Sequence, residues 1–252
     1  AIGPAERVAG RPRIALLDGL PFQNHDALAG RLIVDDPDLL GATYGMTSRH
    51  HGTAMASLVI HGDLTKPGEP LDRPIYVRPI LQPHPLQPRT EVAVQGVLLT
   101  DLLLRAIRRI LEGDGKQAPA VPSIRIVNLS IGAQSRALVR RMSPLGRLLD
   151  WLAVQYNLLF VVSAGNQPDL PIRIPVAAAT TRAKAAQAAL EAVHASSRLR
   201  GILPPGDALN ALTVSATHDD ASGEVSLPDN VWDLTSPGAP AFYAAVGPGV
   251  GR

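Results

Sequence analysis

The chain contains no cysteine, which excludes disulfides, Cys-based zinc sites and thiol catalysis. It also lacks an excess of charge of either sign. The 24 Lys+Arg against 22 Asp+Glu leave a net charge of +2, too balanced to imply a nucleic-acid partner. No apolar run reaches the ~18 residues of a membrane span, so no membrane partner is expected. No charged-then-apolar start marks a secretory leader, although Ala1 is compatible with a processing site before it. Lack of cysteine and of a leader favours the cytoplasm over secretion. What is present is 252 residues at 46% hydrophobic and 18% charged. That is enough to bury a core as one large α/β domain or two small ones, and it excludes a wholly disordered chain.

Residues 13–18 (RIALLD) form a short apolar run ending in an acid and stopped by Gly19 and Pro21. Continuous apolar runs of this length suit strands buried on both faces. The type recurs at 75–80, 124–129, 158–162 and 212–216. Helical patterns lie between, at 53–60, at 92–111 with Asp101, Arg105, Arg108 and Arg109 on the wet side, and at 136–155. Strands alternating with helices predict βαβ units and a parallel sheet. Residues 61–74, 82–90 and 113–122 read as Pro-rich loops, none long enough for a domain linker. The chain therefore reads as a single domain over 1–252. Residues 1–12 form a leader or loop, 176–200 an Ala-rich helical insertion, and 222–252 a loop-rich end.

In open parallel sheets functional groups collect at the carboxyl ends of strands. Asp18 occupies such an end, where a turn acid or helix cap is the structural alternative. His50-His51-Gly52-Thr53 opens a helix, a place for a cap neighbour, a metal ligand or a catalytic base. Residues 126–132 (IVNLSIG) turn a buried strand into a small polar edge. There Ser130-Ile131-Gly132 can present backbone groups to an extended peptide, or simply make a turn. Residues 160–166 (FVVSAGN) end with Gly165, which permits a tight turn. Asn166 follows, with an amide able to stabilise an oxyanion or to serve as an ordinary turn residue. For metals, Asp18, His25, Asp26, His50 and His51 show no His-x-x-x-His or His-x-Asp spacing on one element, so no metal site is read. Asp35, Asp36 and Asp38 form an acidic cluster, either a cation site or a solvated turn. Residues 62–67 hold no clear calcium loop, and no cofactor is expected.

Taken in order, the Asp after the first strand, His51-Gly52-Thr53, NLSIG and VVSAGN resemble the subtilisin-like serine proteases (subtilases, S8-type peptidases). His25-Asp26-Ala27-Leu28 and residues 210–216 (NALTVSA) add to a similarity running from 13 to 216. The resemblance implies an α/β fold, a subtilase-type doubly wound sandwich with a mainly parallel central sheet. It implies Asp18 as triad acid, His51 as general base and Asn166 as oxyanion donor. Ser130, Ile131 and Gly132 would pair with the backbone of a peptide or protein substrate, and Gly165 would line the S1 pocket. Three features depart from the pattern. Asp18-Gly19-Leu20 replaces Asp-Ser/Thr-Gly, and His51-Gly52-Thr53-Ala54 replaces His-Gly-Thr-His. The nucleophile motif Gly-Thr-Ser-x-Ala is missing. The Gly-Thr of this chain is Gly52-Thr53, and Ser196, Ser197, Ser215, Ser222, Ser226 and Ser236 stand in other contexts. Residues 246–249 (VGPG) look like the family's approach to its last segment. The expectation is a domain incomplete at its C-terminal side, inactive alone, with the serine beyond Arg252 and that remaining part as its partner. The alternative is a pseudo-protease that binds peptides without cutting them. The 176–200 insertion is either a surface helix or a lid.

Overall fold

The computed structural model describes residues 8–66, 68–113, 115–133, 141–218, 227–228 and 231–247. The chain divides into two compact units. One is Ala1–Ser130, Leu148–Val161 and Asn210–Leu212; the other is Ile131–Arg147, Val162–Leu209 and Thr213–Arg252.

Six strands form one sheet, β1 (Ile14–Asp18), β2 (Leu32–Val34), β3 (Ile75–Pro79), β6 (Ile126–Leu129), β7 (Leu159–Ser163) and β8 (Ala211–Val214), in the order β2-β3-β1-β6-β7-β8. Strand β1 runs parallel to both of its neighbours, and β2 runs parallel to β3. The mainly parallel α/β sheet expected from the sequence is what forms. Its centre explains the unbroken apolar runs: Ala15, Leu16 and Leu17 of β1 and Ile75, Tyr76 and Val77 of β3 are fully buried. On one face Leu16, Ile75 and Val77 pack with Leu28 and with Ala56 and Ile60 of helix α1 (His50–His61). Each large aliphatic side chain buried here contributes about 1.5–3 kcal/mol.

Helix α2 (Leu99–Leu111) buries Leu102, Leu103, Ala106, Ile107 and Ile110, an apolar stripe at three- and four-residue spacing. The expected helix over 92–111 is thus too long at its start. Residues 87–93 form β5 (Gln87–Ala93), antiparallel to β4 (Leu81–His84), and Gly96 turns the chain at φ +77° before the helix. The same hairpin replaces the loop expected over 82–90. β-branched Thr90 and Val92 favour the extended state locally, and the strand partner decided the outcome.

Helix α3 (Pro144–Tyr156) begins later than the expected 136; residues 134–140 lie outside those described. Ser143 Oγ accepts from Gly146 N at 2.9 Å, and Pro144 takes the first helical turn, which needs no N–H of its own. Residues 176–200, expected to be helical, contain a helix. This is α4 (Arg182–Ala195), between single 3-10 turns at Val176–Ala178 and Ser197–Leu199. Thr181 caps it by accepting from Lys184 N, and its buried residues are Ala185 and Ala189. Among the described residues beyond 222 there is no strand or helix; residues 1–7, 222–226 and 248–252 lie outside that set. No helix of the described residues is long and apolar enough to cross a membrane.

Candidate active site

Asp18 closes β1 at its carboxyl end and is fully buried. Its Oδ1 accepts from Gly19 N at 2.6 Å and from His51 Nδ1 at 2.7 Å. His51 is the second residue of α1 and its side chain is 48% exposed, so the ring spans from a buried acid to solvent. Donation from Nδ1 to the carboxylate leaves the lone pair of the neutral ring on Nε2. The hydrogen bond to Asp18 raises the pKa of His51 above its ordinary value. The charge of Asp18 acts in the same direction, and burial opposes both.

The residues after His51 fix this geometry. A Cβ at Gly52 would lie 2.4 Å from Gly19 O and 3.1 Å from Leu20 C, so a glycine is needed for the helix to start against the loop leaving β1. Thr53 Oγ1 accepts from Phe22 N at 2.9 Å and donates to Arg49 O at 2.6 Å, stapling that loop to the first turn. Three neighbouring histidines are engaged elsewhere. His25 Nδ1 accepts from Ala27 N, His50 packs edge-on to Phe22, and His61 Nε2 donates to Ala27 O.

Sequence reasoning did not find Glu91 of β5 or Tyr44, which follows a 3-10 turn at Leu40–Thr43. Glu91 Oε2 lies 3.9 Å from His51 Nδ1, with its side chain 5% exposed. Tyr44 Oη lies 2.7 Å from Glu91 Oε1. The signal was the Asp-Gly departure itself, because a Cβ at Gly19 would fall 1.5 Å from Glu91 Oε1. Glu91 occupies the space that any larger residue 19 would need.

Ligand atoms of Asp18, His51 and Glu91 lie within 4.8 Å of one another, the spacing of a possible cation cage. The direct 2.7 Å contact argues for proton sharing instead, since two ligands on one tetrahedral zinc sit about 3.3 Å apart. The acidic cluster at 35–38 is committed to partners. Asp35 takes Arg109 Nε at 2.7 Å and Tyr76 Oη at 2.6 Å. Asp36 accepts from Leu40 N and Gly41 N, and Asp38 pairs with Arg78 at 2.7 Å and Arg105 at 3.2 Å. It is an ion-paired knot between β2, β3 and α2, not a solvated turn.

In the second unit the candidates are placed by the backbone. Gly165 follows β7 at φ +97°, and a Cβ there would meet Leu203 at 2.7 Å. A Cβ at Gly132 would lie 3.3 Å from Gly165 Cα, so the two glycine positions are brought together. Asn166 is exposed and bridges antiparallel to Ala244, with Gln167 N donating to Tyr243 O and Ala245 N to Gly165 O. Ile131 is partly buried, and Ala133 N donates to Pro204 O. Ser130, in the first unit, donates from Oγ to Asn128 Oδ1 at 2.9 Å.

A model of the subtilase family (peptidase S8) matches residues 34–248. That range includes His51, Asn166 and Gly165 and begins beyond Asp18. No curated protein matches the chain. Among solved structures the chain is similar to the prenylagaramide maturation protease PagA, at 18% identity and a TM-score of 0.47, covering 84% of this chain and 56% of that one. It is also similar to the protease domain of PatA, at 18% identity and a TM-score of 0.48, covering 94% of this chain and 63% of that one. The chain thus spans less than two thirds of either structure.

Proposed function

Because this chain belongs to the subtilase family, we propose that it carries the acid, base and oxyanion donor of a serine endopeptidase whose nucleophile lies beyond Arg252. The observation that carries the reading is the 2.7 Å hydrogen bond from a half-exposed imidazole to a fully buried carboxylate. A base so oriented has its free lone pair on the solvent side and its conjugate acid stabilised from behind.

His51 Nε2 takes the proton of the serine hydroxyl as it attacks the scissile carbonyl, then returns it to the leaving amine. A water hydrolyses the acyl-enzyme by the same route. Asp18 holds the tautomer and stabilises the imidazolium. The Asn166 amide donates to the tetrahedral oxyanion. Ser130, Ile131 and Gly132 offer backbone groups to the substrate as an added strand, and Gly165, lacking a side chain, lines the pocket for the residue before the scissile bond. No metal or cofactor is assigned a step. The substrate class is a peptide or protein chain.

The test is the coding sequence downstream of Arg252, followed by a cleavage assay on the extended protein. A Gly-Thr-Ser-x-Ala there, with cleavage lost on replacing its serine, is the expected result. A stop codon, or another residue at the serine position, overturns the enzyme reading and leaves a peptide-binding module.

A further inference from the structure

Among the described residues, two buried oxygens at the site find no hydrogen-bond partner, Asp18 Oδ2 and Glu91 Oε2. Two ionised carboxylates this close to one another and shielded from water repel, and one is better held neutral. The contacts of Tyr44 say where the proton sits. Its single hydroxyl hydrogen faces two oxygens, Leu81 O at 3.0 Å and Glu91 Oε1 at 2.7 Å. The Leu81 carbonyl can only accept. With Glu91 ionised, both neighbours compete for one hydrogen and one close oxygen pair is left without any. With Glu91 protonated on Oε1, it donates to Tyr44 Oη, and Tyr44 donates to Leu81 O. Every position in that chain is then satisfied.

We propose that Glu91 is a positioning residue held as a neutral carboxyl beside the Asp18–His51 pair, so that His51 faces one negative charge and not two. The groups facing it are Asp18 at the end of β1, Tyr44 after its 3-10 turn and His51 at the start of α1. Burial raises the pKa of Glu91 and the charge of Asp18 adds to this, against the opposing effects of the Tyr44 hydrogen bond and the His51 charge. The placement has a chemical use that rests on the base reading of His51. A second full charge 3.9 Å from Nδ1 would favour the imidazolium further and weaken the ring as a base at neutral pH. The uncharged carboxyl fills the space at Gly19 and braces the loop leaving β1 without that effect.

The experiment reads protonation directly, so its outcome is separate from whether the protein cleaves peptides. Ring carbons of isotope-labelled histidine are titrated by NMR in the full 252-residue chain and in Glu91→Gln, a variant of the same shape. The expected result is a His51 midpoint unchanged to within a few tenths of a pH unit, because one neutral group replaces another. Removing a real charge at this distance would instead lower the midpoint by about one unit or more, and that result overturns the proposal. Infrared spectroscopy supplies the second measurement. A protonated-carboxyl band at neutral pH is expected, lost in Glu91→Gln and shifted in Tyr44→Phe, which removes the proton's acceptor. No such band in the wild-type chain, or a band untouched by Tyr44→Phe, sinks the assignment.

Discussion

The two units arrange their candidate residues by different physics. In the first, Asp18 with His51 and Tyr44 with Glu91 form two side-chain pairs, each joined by a 2.7 Å hydrogen bond, and the arrangement depends on buried polar groups. In the second, Gly132, Gly165 and Asn166 are placed by main-chain contacts, and the arrangement depends on missing Cβ atoms. The difference teaches where each region is vulnerable. The first fails when a functional group changes, even if the fold survives. The second fails when volume is added, even if the added group is inert.

The largest effect expected from this contrast is chemical. In the extended protein, His51→Ala should cut kcat on the order of a millionfold, as loss of the same base does in subtilisin itself. A steady-state assay on a protein substrate reads it, and retained cleavage would break the assignment of the first region. Next come the steric tests. Gly165→Ala places a Cβ at φ +97° and 2.7 Å from Leu203, which should lower the unfolding free energy by about 2–3 kcal/mol in a urea titration. Gly52→Ala, pressed onto Gly19 O, should lose a similar amount, showing that the first region also contains one place where volume is forbidden. A neutral Gly165→Ala would mean that the turn after β7 yields, and the contrast between the regions would weaken. Smaller again is Thr53→Val, which keeps volume and removes the acceptor of Phe22 N. About 1–2 kcal/mol is expected for that lost staple, read in the same titration.

Much of this was legible in the residues. Apolar runs without alternation gave β1 and β3, because a strand buried on both faces leaves no polar positions to alternate. The order of Asp18, His51-Gly52-Thr53 and Gly165-Asn166 along the chain carried the subtilase resemblance and its candidate residues, because strand ends and helix starts are marked locally by glycine and polar residues. The hairpin of β4 and β5 was not legible, since Pro83, Pro85 and Pro88 read as loop, and only pairing across the hairpin makes the segments around Pro83 and Pro88 strands. Glu91 stayed hidden for the same reason. Its neighbours Gly19 and Tyr44 lie 72 and 47 residues away in sequence, and no local pattern records that a glycine has yielded its space to a carboxyl. The acidic residues at 35–38 were visible as a cluster, but their arginine partners sit on β3 and α2.

The smallest expected effect tests the electrostatic side of the contrast alone. His51 has a folded pKa raised above its ordinary 6.5 by the hydrogen bond to Asp18. A group raised on folding contributes stability that is fully present below the unfolded pKa and is lost as pH rises through the folded one. The stability difference between wild type and His51→Gln should therefore be greatest below pH 6.5 and shrink as pH rises through the raised value. Glu91 is also raised, from 4.5, so its own contribution is lost with rising pH from a lower starting point. The His51 window is the one above pH 6.5, where it is read. Because the imidazole is half exposed, solvent screens the pair, and the change stays smaller than the loss expected from either glycine substitution. Urea titrations at several pH values measure it. A difference that is flat across pH 6.5, or that grows with pH, would mean the Asp18 hydrogen bond does not favour the charged ring, and the first region would then resemble the second in being held by shape alone.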